Sequence, residues 1–380
     1  MNPLGVYISI PFCRAKCTYC NFASGVSSVA AHQQYVSRLC EEMRSTPQAA
    51  VESIYLGGGT PSVLSPFLIA ELARTLREQF SITANAEITL ECAPGQLDDP
   101  ALAAMLALGV NRISFGVQSL VDREAAATGR FHTREIVLKD VQRMRAAGIE
   151  NLSIDLIAGM PHQTVASWQE SLEALVATGV PHASVYMLEI DDDSRLGREL
   201  IAGGTRYHAQ AVPSEELTAE MYQTAIAFLG ANGLAQYEIS NFGAQSRHNL
   251  KYWRREPYLG FGLDAHSMLR SPERRFSNTD VLADYLQGAE KQGHALTPAE
   301  ALEEAWFLGL RLNEGVSWPA LIREFGLDLV DAFRPVVREL CSLELVSDHN
   351  GRVCLTTRGI LFSNEVFARF LGVNELQPLP

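Results

Sequence analysis

Nothing in this chain is long and apolar enough to span a bilayer: no run of eighteen apolar residues occurs in it. The amino-terminal MNPLGVYISI lacks the basic stretch of a secretory leader and passes straight into the first motif, so no signal peptide is expected. Positive charge is scarce. With 31 Lys and Arg against 44 Asp and Glu, the formal net charge is −13, which argues against nonspecific binding of nucleic acid. Internal repeats and low-complexity linkers are missing as well. Cysteines number only seven, and Cys40, Cys92, Cys341 and Cys354 lie scattered among apolar residues, where they read as inert core thiols. The other three stand together and need a reducing compartment, so the cytoplasm is the expected location. Apolar residues make up 47% of the chain and charged ones 20%, a composition with ample core for one large domain and a smaller one.

The clustered thiols lie in Tyr7–Phe22, YISIPFCRAKCTYCNF, where Cys13, Cys17 and Cys20 form a C-x3-C-x2-C pattern just after a short β-branched run. Neighbouring thiolates repel one another unless a metal shares them. A closed zinc site asks for four ligands, usually with a second distant pair, and no such pair exists here. The next histidine, His32, falls inside a helical pattern. A cubane cluster has four irons, and three cysteines leave one of them open to another ligand. The spacing therefore suits a [4Fe-4S] cluster that does chemistry.

From residue 4 to about 190, short β-rich runs alternate with amphipathic stretches. Strands are expected at Val6–Ile10, Ser53–Leu56, Glu87–Glu91, Arg112–Gly116, Leu152–Leu156 and Ala183–Leu188, reading as largely apolar runs. Helices are expected near 32–45, 66–79, 99–108, 133–147 and 165–178, with Gly109, Gly148 and Gly179 ending three of them. Polar or glycine residues follow the strands at one end: the cysteines after the first, Gly57–Pro61 after the second, then Glu91, Gln118, Asp155 and Glu189. A barrel builds its site from many strand ends, whereas a doubly wound sheet concentrates it at one switch point. The fold class expected is therefore α/β, a partial (β/α)6 TIM-type barrel. Pro213–Gly233 reads as a further helix with Ser214 as N-cap. The pattern from 297 to 372, with a hairpin around Asn350-Gly351 and a helix over Leu327–Leu343, suggests a C-terminal, mostly helical, winged-helix-like module. That helix shows no basic face, so nucleic acid is not an expected partner. The expected divisions are 1–235, 236–296 and 297–380.

Taken in order, the motifs are the cysteine segment, GGGTPS (57–62), EITLECAPG (87–95), RISFGVQS (112–119), GRFHT (129–133), SIDLIAGMP (153–161), YEISNF (237–242), SRHNLKYW (246–253) and GFGLDAHS (260–267). Across nearly its whole length the chain resembles the radical S-adenosylmethionine (SAM) proteins related to the oxygen-independent coproporphyrinogen III oxidase. It is most similar to their haem chaperone branch. The resemblance implies a [4Fe-4S] cluster on Cys13, Cys17 and Cys20, with SAM on the open iron. Electron transfer into the sulfonium would then cleave a C–S bond and release a 5′-deoxyadenosyl radical.

Residue chemistry agrees with the roles implied. Gly58 and Gly59 let backbone N–H groups approach a ligand, and the family's turn meets the methionyl end of SAM with Thr60 nearby. Glu91 and Asp155 can accept from an ammonium or from ribose hydroxyls, Gln118 can donate and accept, and Arg130 can pair with a carboxylate. By resemblance these four line the SAM pocket together with Tyr7 and Tyr19, while Phe12 and Phe22 would exclude water or simply pack. No side chain is assigned a catalytic proton transfer. The segment His248-Asn249-x-x-Tyr252-Trp253 matches the HNxxYW motif associated with haem, which implies His248 as an axial ligand. Chemistry alone leaves a structural histidine as the alternative. Two departures from the oxidases favour the chaperone branch: Phe22 stands where they carry another cysteine, and little sequence precedes Tyr7. Asp264 stands where the branch usually has glycine. The function expected is delivery of haem to an unidentified acceptor protein, with a reductant serving the cluster. The alternatives are decarboxylation of coproporphyrinogen III to protoporphyrinogen IX and radical chemistry on another substrate.

Overall fold

The computed structural model describes residues 3–373. Six parallel strands run in sequence order: β1 (Leu4–Ile10), β2 (Ala49–Gly58), β3 (Phe80–Cys92), β4 (Arg112–Gln118), β5 (Asn151–Ala158) and β6 (His182–Met187). Between them lie α1 (Val29–Arg44), α2 (Pro66–Gln79), α3 (Asp99–Leu108), α4 (Asp122–Ala127), α5 (Arg134–Ala146) and α6 (Val165–Thr178). The helix starts follow local chemistry: Ser28, Ser65, Asp98, Thr133 and Thr164 each accept a backbone N–H through the side chain. Gly109 and Gly179 end α3 and α6 in the left-handed region, with φ of 107° and 66°. Gly148 takes φ 87° just beyond α5. The partial barrel of the α/β class is confirmed.

The strands are not uniformly apolar runs, and this corrects the expectation from sequence. One face of each is apolar and packs under the helices: Val6, Ile8 and Ile10, then Ile54 and Leu56, Ile88 and Leu90, Ile113 and Phe115, Leu152 and Ile154, Ala183 and Val185. The period of two sends the alternate residues to the inner face, and these are polar. The parallel register aligns Tyr7 with Tyr55 and Ser9 with Gly57; Ser53 with Glu87; Glu91 with Ser114; and Gly116 with Asp155 and Asp155 with Ser184. A hydrophilic lumen results.

After β6 come α7 (Arg195–Ala202) and α8 (Glu215–Ala231), the latter capped by Ser214. Strand β8 (Asn241–Gly243) pairs antiparallel with β6, β7 (Gln236–Glu238) pairs antiparallel with β8 at the edge, and α9 (Arg247–Trp253) follows. On the opposite edge β9 (Tyr258–Phe261) pairs parallel with β1. Strands β10 (His266–Arg270), β11 (Glu273–Ser277) and β12 (Gln292–Ala295) continue from it as an antiparallel meander, completing a twelve-stranded sheet. Asp264 takes φ 56°, a left-handed turn position where glycine is the unstrained choice.

Beyond residue 297 the chain builds a second core around Trp306, Trp318, Phe333 and Phe370, with Trp306 stacked on Phe370 at 4.9 Å. Helices, a short strand at Val316–Ser317 and the hairpin Val346–His349/Arg352–Leu355 give it a winged-helix-like order. Asn350 and Gly351 turn the hairpin with φ of 53° and 73°. The helix expected over Leu327–Leu343 is two, Leu327–Asp331 and Arg334–Ser342. Pro335 has no N–H to continue the first, and its ring suits the opening turn of the second. The almost fully buried Arg255 joins this unit to the sheet, pairing with Glu273 and Glu304 and, at 3.1 Å, with Glu324. No helix among the described residues is long and apolar enough to cross a membrane.

Candidate functional site

A cavity of about 330 Å3 opens at the carboxyl ends of β1 to β6. The loop from Cys13 to Cys20 forms one wall, and its shape is set by backbone hydrogen bonds to three other segments. Cys13 N–H donates to the Gly25 carbonyl (3.0 Å), Thr18 N–H to that of Thr128 (3.1 Å), and Leu196 N–H of α7 to that of Thr18 (2.9 Å). All three thiols face the cavity and are partly accessible. The Thr60 hydroxyl lies 3.7 Å from the Cys13 sulfur, and burial pushes that thiol's pKa up.

Gly58, Gly59 and Thr60 line the adjoining wall. The glycines are demanded by the fold as well as by access to a ligand. Gly58 has φ 98°, and a Cβ on Gly59 would stand 2.7 Å from the Phe12 carbonyl oxygen. Opposite them the carboxylates are held by short contacts. Glu91 accepts the Tyr55 hydroxyl at 2.9 Å and the Gly58 N–H at 3.2 Å, and burial pushes its pKa up to about 7. Asp155 accepts from Ser114 at 3.1 Å and Ser153 at 3.3 Å; burial also raises its pKa, against the pull of the serine hydroxyls. Arg130 donates to the Tyr19 hydroxyl at 3.3 Å.

The cavity is built for a polar ligand. Gln118 takes φ 74°, uncommon for a residue with a side chain, and its Oε1 is buried without a partner. Arg130 Nε and Gln96 Oε1 are likewise buried and unpartnered, and all three residues line the cavity. The donor set on the loop is three soft thiols. Among the described residues no three His, Cys, Asp or Glu side chains converge as they would on one metal ion. Separate irons of a cluster each take their own cysteine, so these residues fit a cluster with SAM beside it.

The structure thus brings together Cys13, Cys17, Cys20, Tyr19, Gly58, Gly59, Thr60, Glu91, Gln118, Arg130 and Asp155. Tyr7 lies behind this wall, stacked on Tyr55 at 6.2 Å. His248 is elsewhere. The resemblance implied an axial haem ligand there, with a structural histidine as the alternative. The residue sits in α9 with no exposed surface, Nδ1 2.9 Å from Ser53 Oγ and Nε2 2.7 Å from the Tyr252 hydroxyl. Burial, then the nearby Lys251 and Arg112 charges, push its pKa down to about 3. Phe12 and Phe22 do not act as a pair: Phe12 is core, stacked on His32, while Phe22 is 65% exposed at the cavity wall. Tyr55, Ser114 and Ser153, which hold the carboxylates, were missed. Ser153 stands two residues before Asp155, and Tyr55 and Ser114 stand two before Gly57 and Gly116 in their own strands, a period that could have found them.

A partial parallel barrel with a three-thiol loop after its first strand and a glycine turn after its second defines a cofactor-carrying α/β barrel of the radical SAM type. The description of the Radical SAM superfamily matches residues 7–175, and that of the HemN C-terminal domain matches residues 296–362. The chain is 33% identical to a Lactococcus lactis protein named heme chaperone HemW, covering 97% of this chain and 98% of that protein. It is 34% identical to the Bacillus subtilis protein of the same name, covering 96% and 98%. In architecture it is similar to the coproporphyrinogen III oxidase HemN from Escherichia coli, with a TM-score of 0.84 and 24% identity over 97% of this chain and 90% of that one. The chain belongs to the coproporphyrinogen III oxidase-like family of the radical SAM superfamily, on the branch of its HemW relatives. That family implies a [4Fe-4S] cluster and SAM.

Proposed function

We propose that this protein is a haem chaperone that holds a [4Fe-4S] cluster on Cys13, Cys17 and Cys20, binds SAM in the adjoining cavity, and passes haem to an acceptor protein. The observation that carries the reading is similarity over almost the entire length to relatives named heme chaperone, together with a cavity whose thiols and unpartnered polar atoms suit cluster and SAM. When bound, the reduced cluster supplies an electron to the sulfonium of SAM. The protein's own part is recognition. Gly58 and Gly59 keep one wall bare, and Glu91 and Asp155 present acceptors for ammonium or hydroxyl groups. Gln118 and Arg130 offer the unpartnered Oε1 and Nε, and the Tyr19 hydroxyl anchors Arg130. Ligation of haem by His248 would cost two buried hydrogen bonds, so this reading takes haem to other groups. A reductant for the cluster and a haem-accepting protein complete the partners.

The test uses the full chain, reconstituted anaerobically with iron and sulfide. Titration with haem is expected to saturate near one equivalent, and coproporphyrinogen III is expected to survive incubation with dithionite and SAM. Repeated turnover to protoporphyrinogen IX without saturable haem binding would replace the chaperone with the oxidase.

A further inference from the structure

We infer that Tyr55 and His248 are positioning residues for Glu91, acting from inside the lumen on the carboxylate that faces the cavity. The inference rests on the reading that SAM occupies that cavity. The Tyr55 ring lies between Tyr7, centroids 6.2 Å apart, and His248, 5.3 Å apart with planes 31° from parallel. Its hydroxyl donates to one Glu91 oxygen at 2.9 Å while the Gly58 N–H takes the other at 3.2 Å. A carboxylate fixed through both oxygens keeps one orientation, provided the phenol cannot swing away.

His248 is what stops the phenol moving. Its imidazole is locked by Ser53 Oγ at 2.9 Å and the Tyr252 hydroxyl at 2.7 Å, and its backbone N–H donates to Glu87 Oε1 at 3.1 Å. Ser53 and Tyr55 share the inner face of β2, and Glu87 and Glu91 that of β3. The helix carrying the HNxxYW sequence is therefore docked on the two strands that bear the carboxylate and its phenol. Burial keeps the imidazole neutral, which suits a packing and hydrogen-bonding role.

The charge on Glu91 offers a readout that packing alone would not move. The groups facing it are Tyr55 on β2, Asp155 on β5, Arg112 on β4, Tyr7 on β1, Tyr186 on β6 and Tyr252 on α9. Among these the Tyr55 hydrogen bond favours the ionised carboxylate. Removing it raises the Glu91 pKa, so the acid limb of SAM binding moves to higher pH.

The experiment is calorimetric titration of SAM into the reconstituted full-length protein between pH 6 and 9, with haem titrated separately. Tyr55→Phe is expected to weaken SAM about tenfold at neutral pH and to shift the acid limb upward, while iron content and cluster absorption hold. His248→Gln is expected to weaken SAM less, in the same direction, with haem affinity unchanged. The double variant is expected to be no worse than Tyr55→Phe alone. Wild-type affinity and pH limb in Tyr55→Phe would overturn the inference, as would losses that multiply in the double variant. Loss of haem with SAM binding intact in His248→Gln would return the histidine to haem. Failure of the wild-type protein to bind SAM would instead overturn the reading of the cavity.

Discussion

At the scale of single residues, side-chain chemistry was legible in the sequence to the extent that it depends on residue type and spacing. Three thiols within one eight-residue segment, a glycine turn and two strand-end carboxylates share one cavity because each lies at the end of a strand of the same parallel set. The glycines show what residue type leaves open. Read from sequence they clear space for a ligand, but at Gly59 the nearest obstacles to a side chain are the Phe12 and Ile10 carbonyl oxygens, 2.7 and 2.8 Å from a Cβ. Gly59→Ala is therefore expected to cost about 1–3 kcal/mol of stability with no ligand present, seen as a lower urea midpoint of the apoprotein. An unchanged midpoint with weakened SAM binding would assign the glycine to the ligand alone.

Elements place what residues cannot place alone. The cysteine loop keeps its shape partly through α7, which is capped by Ser194 and whose Leu196 N–H reaches the Thr18 carbonyl, a contact between segments far apart in the chain. Helix α9 is a second case. Glu87 on β3 accepts the N–H groups of Arg247 (3.2 Å) and His248 (3.1 Å), satisfying the first turn of a helix that lies inside the fold. With Glu87→Ala those donors lose a charged acceptor, and a loss of about 2–3 kcal/mol is expected, with faster amide exchange confined first to 247–253. Uniform exchange over the whole barrel would show that α9 is held by its apolar contacts instead. Helix α9 is absent from the helices expected in sequence because seven residues that include Asn249, Tyr252 and Trp253 have weak propensity of their own.

For the whole molecule, burial of histidines makes stability depend on pH. His248 and His132 have pKa values pushed down to about 3 and 4, chiefly by burial, against about 6.5 in an unfolded chain. Between those limits the unfolded state binds more protons, so stability is full above pH ~6.5 and falls as pH drops toward 4. Glu91, pushed up to about 7, acts in the opposite sense: it holds its proton longer when folded, and its contribution falls as pH rises from about 4 to 7. Buried His182 acts with the two histidines, and buried Asp155 and Glu238 act with Glu91, so the two groups oppose one another. The separate part of His248 is the one to isolate, a loss of stability on acidification from pH 6.5 to 4.5. Over that range His248 supplies at most about 3 kcal/mol, two pH units at about 1.4 kcal/mol each. Urea midpoints of wild type and His248→Gln across that range check it: the gap between the two is expected to change with pH, and a gap constant from pH 6.5 to 4.5 would mean the histidine is not buried in solution.

The sequence by itself determined the six-stranded alternation, the three-thiol loop and most of the cavity wall. These follow from period, caps and residue type within short stretches, and a parallel array carries every strand end to the same rim. Tertiary structure alone decided that Tyr55 holds Glu91 and that His248 is enclosed by Ser53 and Tyr252. Those outcomes depend on register between strands far apart in the chain and on the packing of α9 against them, and no local pattern encodes either.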